Sequence, residues 1–265
     1  MSSAEQFRAL HGAETPLVLP NVWDAVTARL VVECGGKALA TSSAATAWAQ
    51  GFSDGELLPL ESLIRIVAGI LRVVSVPVSV DLERGYGEAA EAAVELAELG
   101  VAGVNLEDGA GRAEDFSATL GSVRAALRRR GLDLFLNARC DLLLEGAVES
   151  DGTLDELVRR GKLYSQAGAD GFFIPGVTAS ASLRRISHGV PLPLNVWAAE
   201  ALGPVETLRD AGVRRVSVGT RLALHALSAA AQDVKALLAG RWARPVPPPF
   251  LTSQELNGWF RRDGA

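Results

Sequence analysis

The run Val78-Ser79-Val80-Asp81-Leu82-Glu83-Arg84-Gly85-Tyr86-Gly87 carries two carboxylates at the end of a short apolar segment and then breaks on two glycines. Alternate side chains of a strand share a face, so Asp81 and Glu83 are expected to point the same way. Two acids buried together are costly unless a cation or a proton lies between them. The next apolar run, Val101-Ala102-Gly103-Val104-Asn105-Leu106, ends similarly on Glu107-Asp108. Acids closing successive strands point to a divalent metal site on one rim of an α/β barrel. Oxygen ligands without clustered His or Cys suit Mg2+, which keeps several of its own waters.

Such a rim needs a frame to hold it. Short apolar runs alternate with helical patterns almost throughout, and eight strands are expected, over 17–19, 37–41, 78–81, 101–106, 134–138, 171–174, 192–196 and 215–218. The phrases Glu-Leu-Gly-Val-Ala-Gly-Val, Gln-Ala-Gly-Ala-Asp-Gly-Phe and Asp-Ala-Gly-Val-Arg-Arg-Val repeat one joint: a helix end, a glycine cap and an inward strand. Eight such units predict a parallel (β/α)8 TIM-type barrel over residues 1–243, and 265 residues suffice for it. Residues 244–249, Arg-Pro-Val-Pro-Pro-Pro, read as an extended spacer. A short amphipathic helix is expected after it, so 244–265 form a separate tail. Trp259 and Phe260 on that tail need a surface to bury against, either the barrel or a partner subunit.

The bulk properties exclude several function classes. The net charge of −5 comes without a basic tract, and Arg128-Arg129-Arg130 closes a helix, so no nucleic acid partner is expected. The N-terminus lacks the pattern of a signal peptide, and charges or Pro77 break the longest apolar stretch; no membrane span and a cytoplasmic location are expected. Cys34 and Cys140 lie beside apolar runs and read as reduced core thiols.

Taken in order, Asn21-Val22-Trp23-Asp24-Ala25, Ala40-Thr41-Ser42-Ser43-Ala44, Asp54-Gly55-Glu56, Asp81-Leu82-Glu83-Arg84-Gly85-Tyr86-Gly87, Asn105-Leu106-Glu107-Asp108 and Asn137-Ala138-Arg139-Cys140-Asp141 resemble the isocitrate lyase / phosphoenolpyruvate mutase superfamily. The resemblance implies a (β/α)8 barrel, a Mg2+ ion and small 2-oxo mono- or dicarboxylate substrates. It also implies a C-terminal helix swapped between subunits of a homodimer or homotetramer. Asp81 matches the principal metal ligand; Asp54, Glu83 and Glu107 match acids holding the ion directly or through water. Arg139 matches the arginine that contacts the substrate carboxylate, and the backbone of Ser42, Ser43 and Ala44 the loop that receives it. Arg139, Asp54 and Glu107 are the expected catalytic set. Asn195 matches a polar position on the same rim, and Trp23 is either a substrate wall or a packing residue.

Two departures bear on the reaction. Lyases of the superfamily carry a Lys-Lys-Cys-Gly-His type loop with a cysteine acid, whereas this chain has Gly109-Ala110-Gly111-Arg112-Ala113-Glu114-Asp115. They also place a glutamate after Pro in the sixth strand, where this chain has Pro175-Gly176. Isocitrate and methylisocitrate cleavage are therefore not expected. A 2-oxo acid chelated to Mg2+ can break the adjacent bond through an enolate. The expected reaction is carbon–carbon cleavage of an oxaloacetate-like dicarboxylate. One alternative is a mutase or hydrolase on the P–C bond of phosphonopyruvate, helped by Arg84 or Arg112. The other is a 2-oxo acid binding protein without turnover. Tyr86, Glu114 and Asp115 are the candidate proton donors.

Overall fold

Pro20 interrupts the first strand of the sheet, because proline has no N–H to give to a ladder. The strands are β1 (Leu17–Leu19), β2 (Asn21–Val22), β3 (Leu39–Thr41), β4 (Val78–Asp81), β5 (Gly103–Glu107), β6 (Phe135–Arg139), β7 (Gly171–Phe173), β8 (Leu194–Trp197) and β9 (Val213–Ser217). The structure is a computed structural model and describes residues 1–242 and 251–261. All pairings are parallel, in the order β1-β9-β8-β7-β6-β5-β4-β3-β2. The two ends of this sheet, β1 and β2, are consecutive pieces of chain on either side of Pro20, so the sheet forms the expected barrel with its first strand broken in two. Asn21 stitches the break. Its Oδ1 accepts from Val218 N (2.8 Å) and Gly219 N (2.9 Å), and its Nδ2 donates to the Thr41 carbonyl (2.8 Å).

The helices are α1 (Ser3–His11), α2 (Ala25–Glu33), α3 (Ser43–Ala49), α4 (Leu60–Leu71), α5 (Ala89–Glu98), α6 (Ala113–Arg129), α7 (Asp151–Ala167), α8 (Ser180–Gly189), α9 (Val205–Asp210), α10 (Arg221–Leu238) and α11 (Ser253–Trp259). Local signals place their ends. Asp24 caps α2 through a capping box with Thr27, and α7 stops at Gly168, whose left-handed φ of 103° suits glycine. The outward strand faces, including Val80, Val104, Leu136 and Phe172, pack with helix residues such as Leu96, Leu120, Leu127 and Tyr164 into one continuous core.

A second cluster, Phe7, Leu17, Leu19, Ala38, Ala40, Ala102 and Phe135, lies toward the amino ends of the strands. Helix α1 supplies Phe7 to it and so plugs the end of the barrel opposite the acidic rim. His11 stacks on Phe135 (ring centroids 4.2 Å apart), and its Nδ1 lies 2.8 Å from the Phe7 carbonyl.

By its contacts the chain divides into Met1–Gly219, which holds the barrel, and Thr220–Ala265, which holds α10 and α11. In the second unit α10 leaves Leu222, Leu224, Leu227, Val234, Leu237 and Leu238 exposed, and Thr252 and Glu255 form a capping box at α11. Trp259 is half-buried and Phe260 exposed. The spacer expected over 244–249 lies outside the described residues. Both cysteines are free thiols; Cys140 is in the core, but Cys34 is exposed, because it caps the C-terminal end of α2 rather than lying on its buried face. Among the described residues no helix is long and apolar enough to cross a membrane.

Burial, then the charges of Arg215 and Arg8, push the His11 imidazole down to about 3. The folded chain keeps it neutral while the unfolded chain protonates it below about 6.5. Its contribution is thus present above that value and lost as pH falls. Between pH 7.5 and 5.5, urea unfolding should show the wild type losing about 1.4 kcal/mol more stability than His11→Phe. Equal losses would mean that the folded protein protonates His11 freely.

Candidate active site

Strand register assembles the rim. In the β5–β6 pairing Glu107 stands opposite Arg139, and in β4–β5 Asp81 stands opposite Asn105. Arg139 Nη1 lies 2.8 Å from Glu107 Oε2, and its Nε donates to Asp141 Oδ1 at 2.6 Å. Neither acid takes Nη2. The guanidinium also lies 5.9 Å from the centre of the Phe173 ring. Arg139 is thus clamped in one orientation by two acids, with one edge left over.

Glu83 reaches the rim differently from the expectation. Strand β4 ends at Asp81, and Glu83 takes a left-handed φ of 49° in the following turn, so strand alternation does not align the two acids. The turn is closed by Gly85 N donating to the Leu82 carbonyl (2.8 Å). Gly85 itself has φ 100°, and a Cβ there would lie 2.2 Å from that of Ala89, so only glycine fits. Both Glu83 oxygens are occupied: Oε1 accepts from the Tyr86 hydroxyl (3.0 Å) and Oε2 from Glu56 N (2.8 Å). Glu56 Oε1 in turn accepts from Arg84 N and Tyr86 N. Among the described residues, the non-glycine positions with positive φ are Glu56, Glu83, Tyr86 and Ala110, all in loops on this rim. Left-handed backbone of this kind is costly for a side chain and concentrates at functional sites.

The Ser42–Ala44 segment is not a loop. Ser42 is the N-cap of α3, its hydroxyl accepting from Ala45 N (3.4 Å), and Ser43 begins the helix. The Ser43 amide and hydroxyl lie close enough to the Asp81 carboxyl to favour its charged form. Ser42 and Ala44 are buried. Asn195 is also buried; its Nδ2 donates to Ser217 Oγ (3.2 Å) inside the barrel. Trp23 is half-buried between β2 and α2, and its backbone N–H donates to Thr27 Oγ1. Asp54 is exposed but close enough for its charge to act on Asp81 and Glu83.

The superfamily implies a divalent cation, and the acids here fit one. Asp81 Oδ1 is sealed from solvent and has no hydrogen-bond partner. Burial raises the pKa values of Asp81, Glu83 and Glu107, that of Glu107 to about 8. Arg139 offsets this for Asp81 and Glu107, while neighbouring acids add to it for all three. Among the described residues no three His, Cys, Asp or Glu groups converge tightly enough to grip an ion directly. The arrangement therefore suits an ion with Asp81 as its direct ligand and the other acids reached through retained water, a habit of Mg2+.

Two expected proton donors move away from the rim. Helix α6 begins at Ala113, which puts Glu114 and Asp115 in its exposed first turn, where Glu114 pairs with Arg159 (2.9 Å) and Asp115 faces Arg112 (4.0 Å). Tyr86 stays in the site. Beneath the short loop, Asp108 Oδ2 accepts from Arg160 Nη1 (2.7 Å) and the Tyr164 hydroxyl (2.6 Å). Its Oδ1 accepts from Ala110 N and Asp141 N, so one buried acid positions both the loop and the Arg139 clamp. Cys140 is beside it, and burial raises its pKa, leaving an unreactive thiol.

The profile of the phosphoenolpyruvate phosphomutase family matches residues 7–238. The chain belongs to this family. An oxaloacetate decarboxylase of Bradyrhizobium sp. is 32% identical, over 92% of this chain and 87% of that protein. An uncharacterized protein of Mycobacterium tuberculosis is 31% identical, over 91% of this chain and 92% of its own length. A crystal structure of a candidate phosphonomutase from Burkholderia cenocepacia, 39% identical, superposes with a TM-score of 0.83 and covers 88% of this chain and 99% of that one. These relatives put the chain among the lyases and mutases of the superfamily.

The sequence offers Asp141 and Glu107 as salt-bridge partners of Arg139, and both pair with it. Sequence reasoning gave no separate role to Glu56, Asp108 or Arg215, of which the first two lie within the matched motifs. Arg215 announces itself only as a charge within an apolar strand. If Asp81 is the direct ligand, Mg2+ or Mn2+ should raise the melting temperature by linkage, and Asp81→Asn should abolish the response. A wild type indifferent to both ions in thermal unfolding would remove the metal from this rim.

Proposed function

We propose that this protein is a divalent-metal-dependent carbon–carbon lyase acting on a small 2-oxo dicarboxylate, with oxaloacetate decarboxylation as its simplest reaction. The observation that carries this reading is the sealed, unpartnered Asp81 Oδ1 on the same rim as the clamped Arg139. When bound, the cation would supply Lewis acidity for the negative charge that develops on the 2-oxo group. Arg139 presents its free edge to a substrate carboxylate, and Glu107 and Asp141 hold that edge in place before the substrate arrives. Ser43 favours the charged form of Asp81, and the Glu56–Glu83–Tyr86 bonds hold the neighbouring turn.

Loss of CO2 asks little of acid–base groups. No hydroxyl proton has to be removed, and the leaving fragment takes up none. Only the remaining carbon needs a proton, which Tyr86 or water can supply. Aldol-type cleavage needs a base at the hydroxyl and an acid at the carbon. The 109–115 stretch has no Cys, His or Lys for such work. The similarity to an oxaloacetate decarboxylase agrees with this reading. Phosphonopyruvate chemistry is the second reading. It is favoured by Arg84, whose Nε lies 3.9 Å from Glu107 Oε1 and whose guanidinium packs against Gly109. We also propose that subunits pair through the C-terminal unit, because α10 carries six exposed large apolar residues.

One substrate panel separates the readings. Oxaloacetate should yield pyruvate and CO2 above the metal-only blank, while isocitrate and 2-methylisocitrate stay intact. Turnover of phosphonopyruvate, followed by 31P NMR, without oxaloacetate turnover would establish the second reading instead. Arg139→Lys keeps the charge but loses the fork, and should weaken oxalate binding about tenfold or more, since a charge-assisted hydrogen bond contributes roughly 1.5–3 kcal/mol. Leu224→Glu together with Leu227→Glu on the exposed face of α10 should lower the oligomer size in light scattering; an unchanged oligomer would put the subunit contact elsewhere.

A further inference from the structure

Arg124, Arg139 and Arg160 are each mostly buried and each ion-paired: Arg124 with Asp170, Arg139 with Glu107 and Asp141, Arg160 with Asp108 and Glu156. Arg215 is buried more deeply than any of them, with no exposed surface, and forms no salt bridge with a described residue. It projects from β9 into the barrel. Its Nε donates to Ser217 Oγ (3.1 Å) and its Nη2 to Asn105 Oδ1 on β5 (3.2 Å). The guanidinium lies 5.7 Å from the centre of the Phe7 ring, above the apolar plug, and Nη1 is sealed without a partner.

Neutral side chains could fill these contacts at far lower cost. A glutamine can donate to Asn105 or Ser217, and a methionine fills similar volume, whereas an unpaired buried cation carries a large desolvation penalty. The charge itself is therefore what needs a function. Burial pushes Arg215 down only to about 9, so it stays protonated at neutral pH. The acid whose charge acts on it is Asp81, and Asp81 stands in register with Asn105, the residue that Arg215 holds. Arg215 thus lies beneath the acidic rim, with one asparagine between it and the expected metal ligand.

We propose that Arg215 is the fixed counter-charge of the active-site rim: it weakens the hold of the acids on a divalent cation and strengthens the grip of the loaded site on an anionic 2-oxo carboxylate. The inference rests on the metal reading of Asp81. A positive charge in the interior acts through few screening groups, so it repels a cation and attracts an anion at the same rim. The acids alone would favour metal over substrate. With Arg215 below them, the two affinities are balanced.

The signs of the two effects test this. Mn2+ binding, then oxalate binding to the Mn2+-loaded protein, would be measured by calorimetry at pH 8 for wild type, Arg215→Met, Arg215→Gln and Arg215→Lys. Arg215→Met and Arg215→Gln should bind Mn2+ several-fold to about tenfold tighter and oxalate weaker by a similar factor. Arg215→Lys keeps the charge and should stay near wild type in both. Shifts of the same sign, no shift, or a lysine variant that behaves like methionine would overturn the proposal. Urea unfolding of the metal-free proteins checks the fold, and collapse of all three variants would assign Arg215 to stability and overturn it as well. A wild type that binds no Mn2+ would instead refute the metal reading itself.

Discussion

Carboxylates repel one another, and this rim gathers Asp81, Glu107 and Asp141 around one clamped guanidinium, Arg139, with Glu83 beside Asp81. Every acid in the group is raised above its ordinary pKa, with burial the largest cause. The folded chain relieves part of this strain with its own donors. Arg139 serves two acids, Ser43 serves Asp81, and Tyr86 with Glu56 N serves Glu83. Asp81 Oδ1 is left without any. That imbalance is what the proposed cation would relieve, and the remaining edge of Arg139 is what the proposed substrate carboxylate would meet.

The rest of the barrel holds this charge in place. Asn21 ties β9 to β3 where Pro20 breaks the strand, which keeps the sheet closed despite the missing donor. Phe7 and His11 of α1 fill the opposite end with packed rings. Asp108 is a carboxylate of another kind: Arg160, Tyr164 and two backbone amides satisfy it fully, and its pKa is lowered despite burial. Adjacent in sequence, Glu107 and Asp108 differ because one faces the barrel axis and the other the packed layer of helices. A strand sends successive side chains to opposite faces, and the two faces are chemically different solvents.

The proposed reaction class rests on what surrounds the acids. A short connection, with α6 starting at Ala113, leaves the rim without a mobile acid-bearing loop. In the proposed reading the site has the groups that would bind and polarise a 2-oxo acid, and its 109–115 stretch has no Cys, His or Lys to act as base at a hydroxyl and acid at a carbon. Decarboxylation needs the binding and polarising groups most. Left-handed backbone at Glu56, Glu83 and Tyr86 is the conformational cost of aiming several polar groups into one small volume.

Much of this was legible in the order of residues. The alternation of apolar runs and capped helices determined the parallel barrel, and the acids at the ends of β4 and β5, with Arg139 at the end of β6, marked the rim on which the structure gathers buried charge. These signals are local, since they depend on spacing within about ten residues. What only the tertiary structure decided is long-range. Glu83 arrives by a left-handed turn rather than by alternation, because Gly85 permits a bend that Ala89 would otherwise block. Ser43 serves Asp81 from the start of a helix. Glu114 and Asp115 face solvent, because α6 begins at Ala113 and puts both in its exposed first turn. Arg215 meets Asn105 from 110 positions away in the chain. Partnering, burial and the sign of a pKa shift are set by which groups the closed barrel brings together, and no spacing along a single chain carries that information.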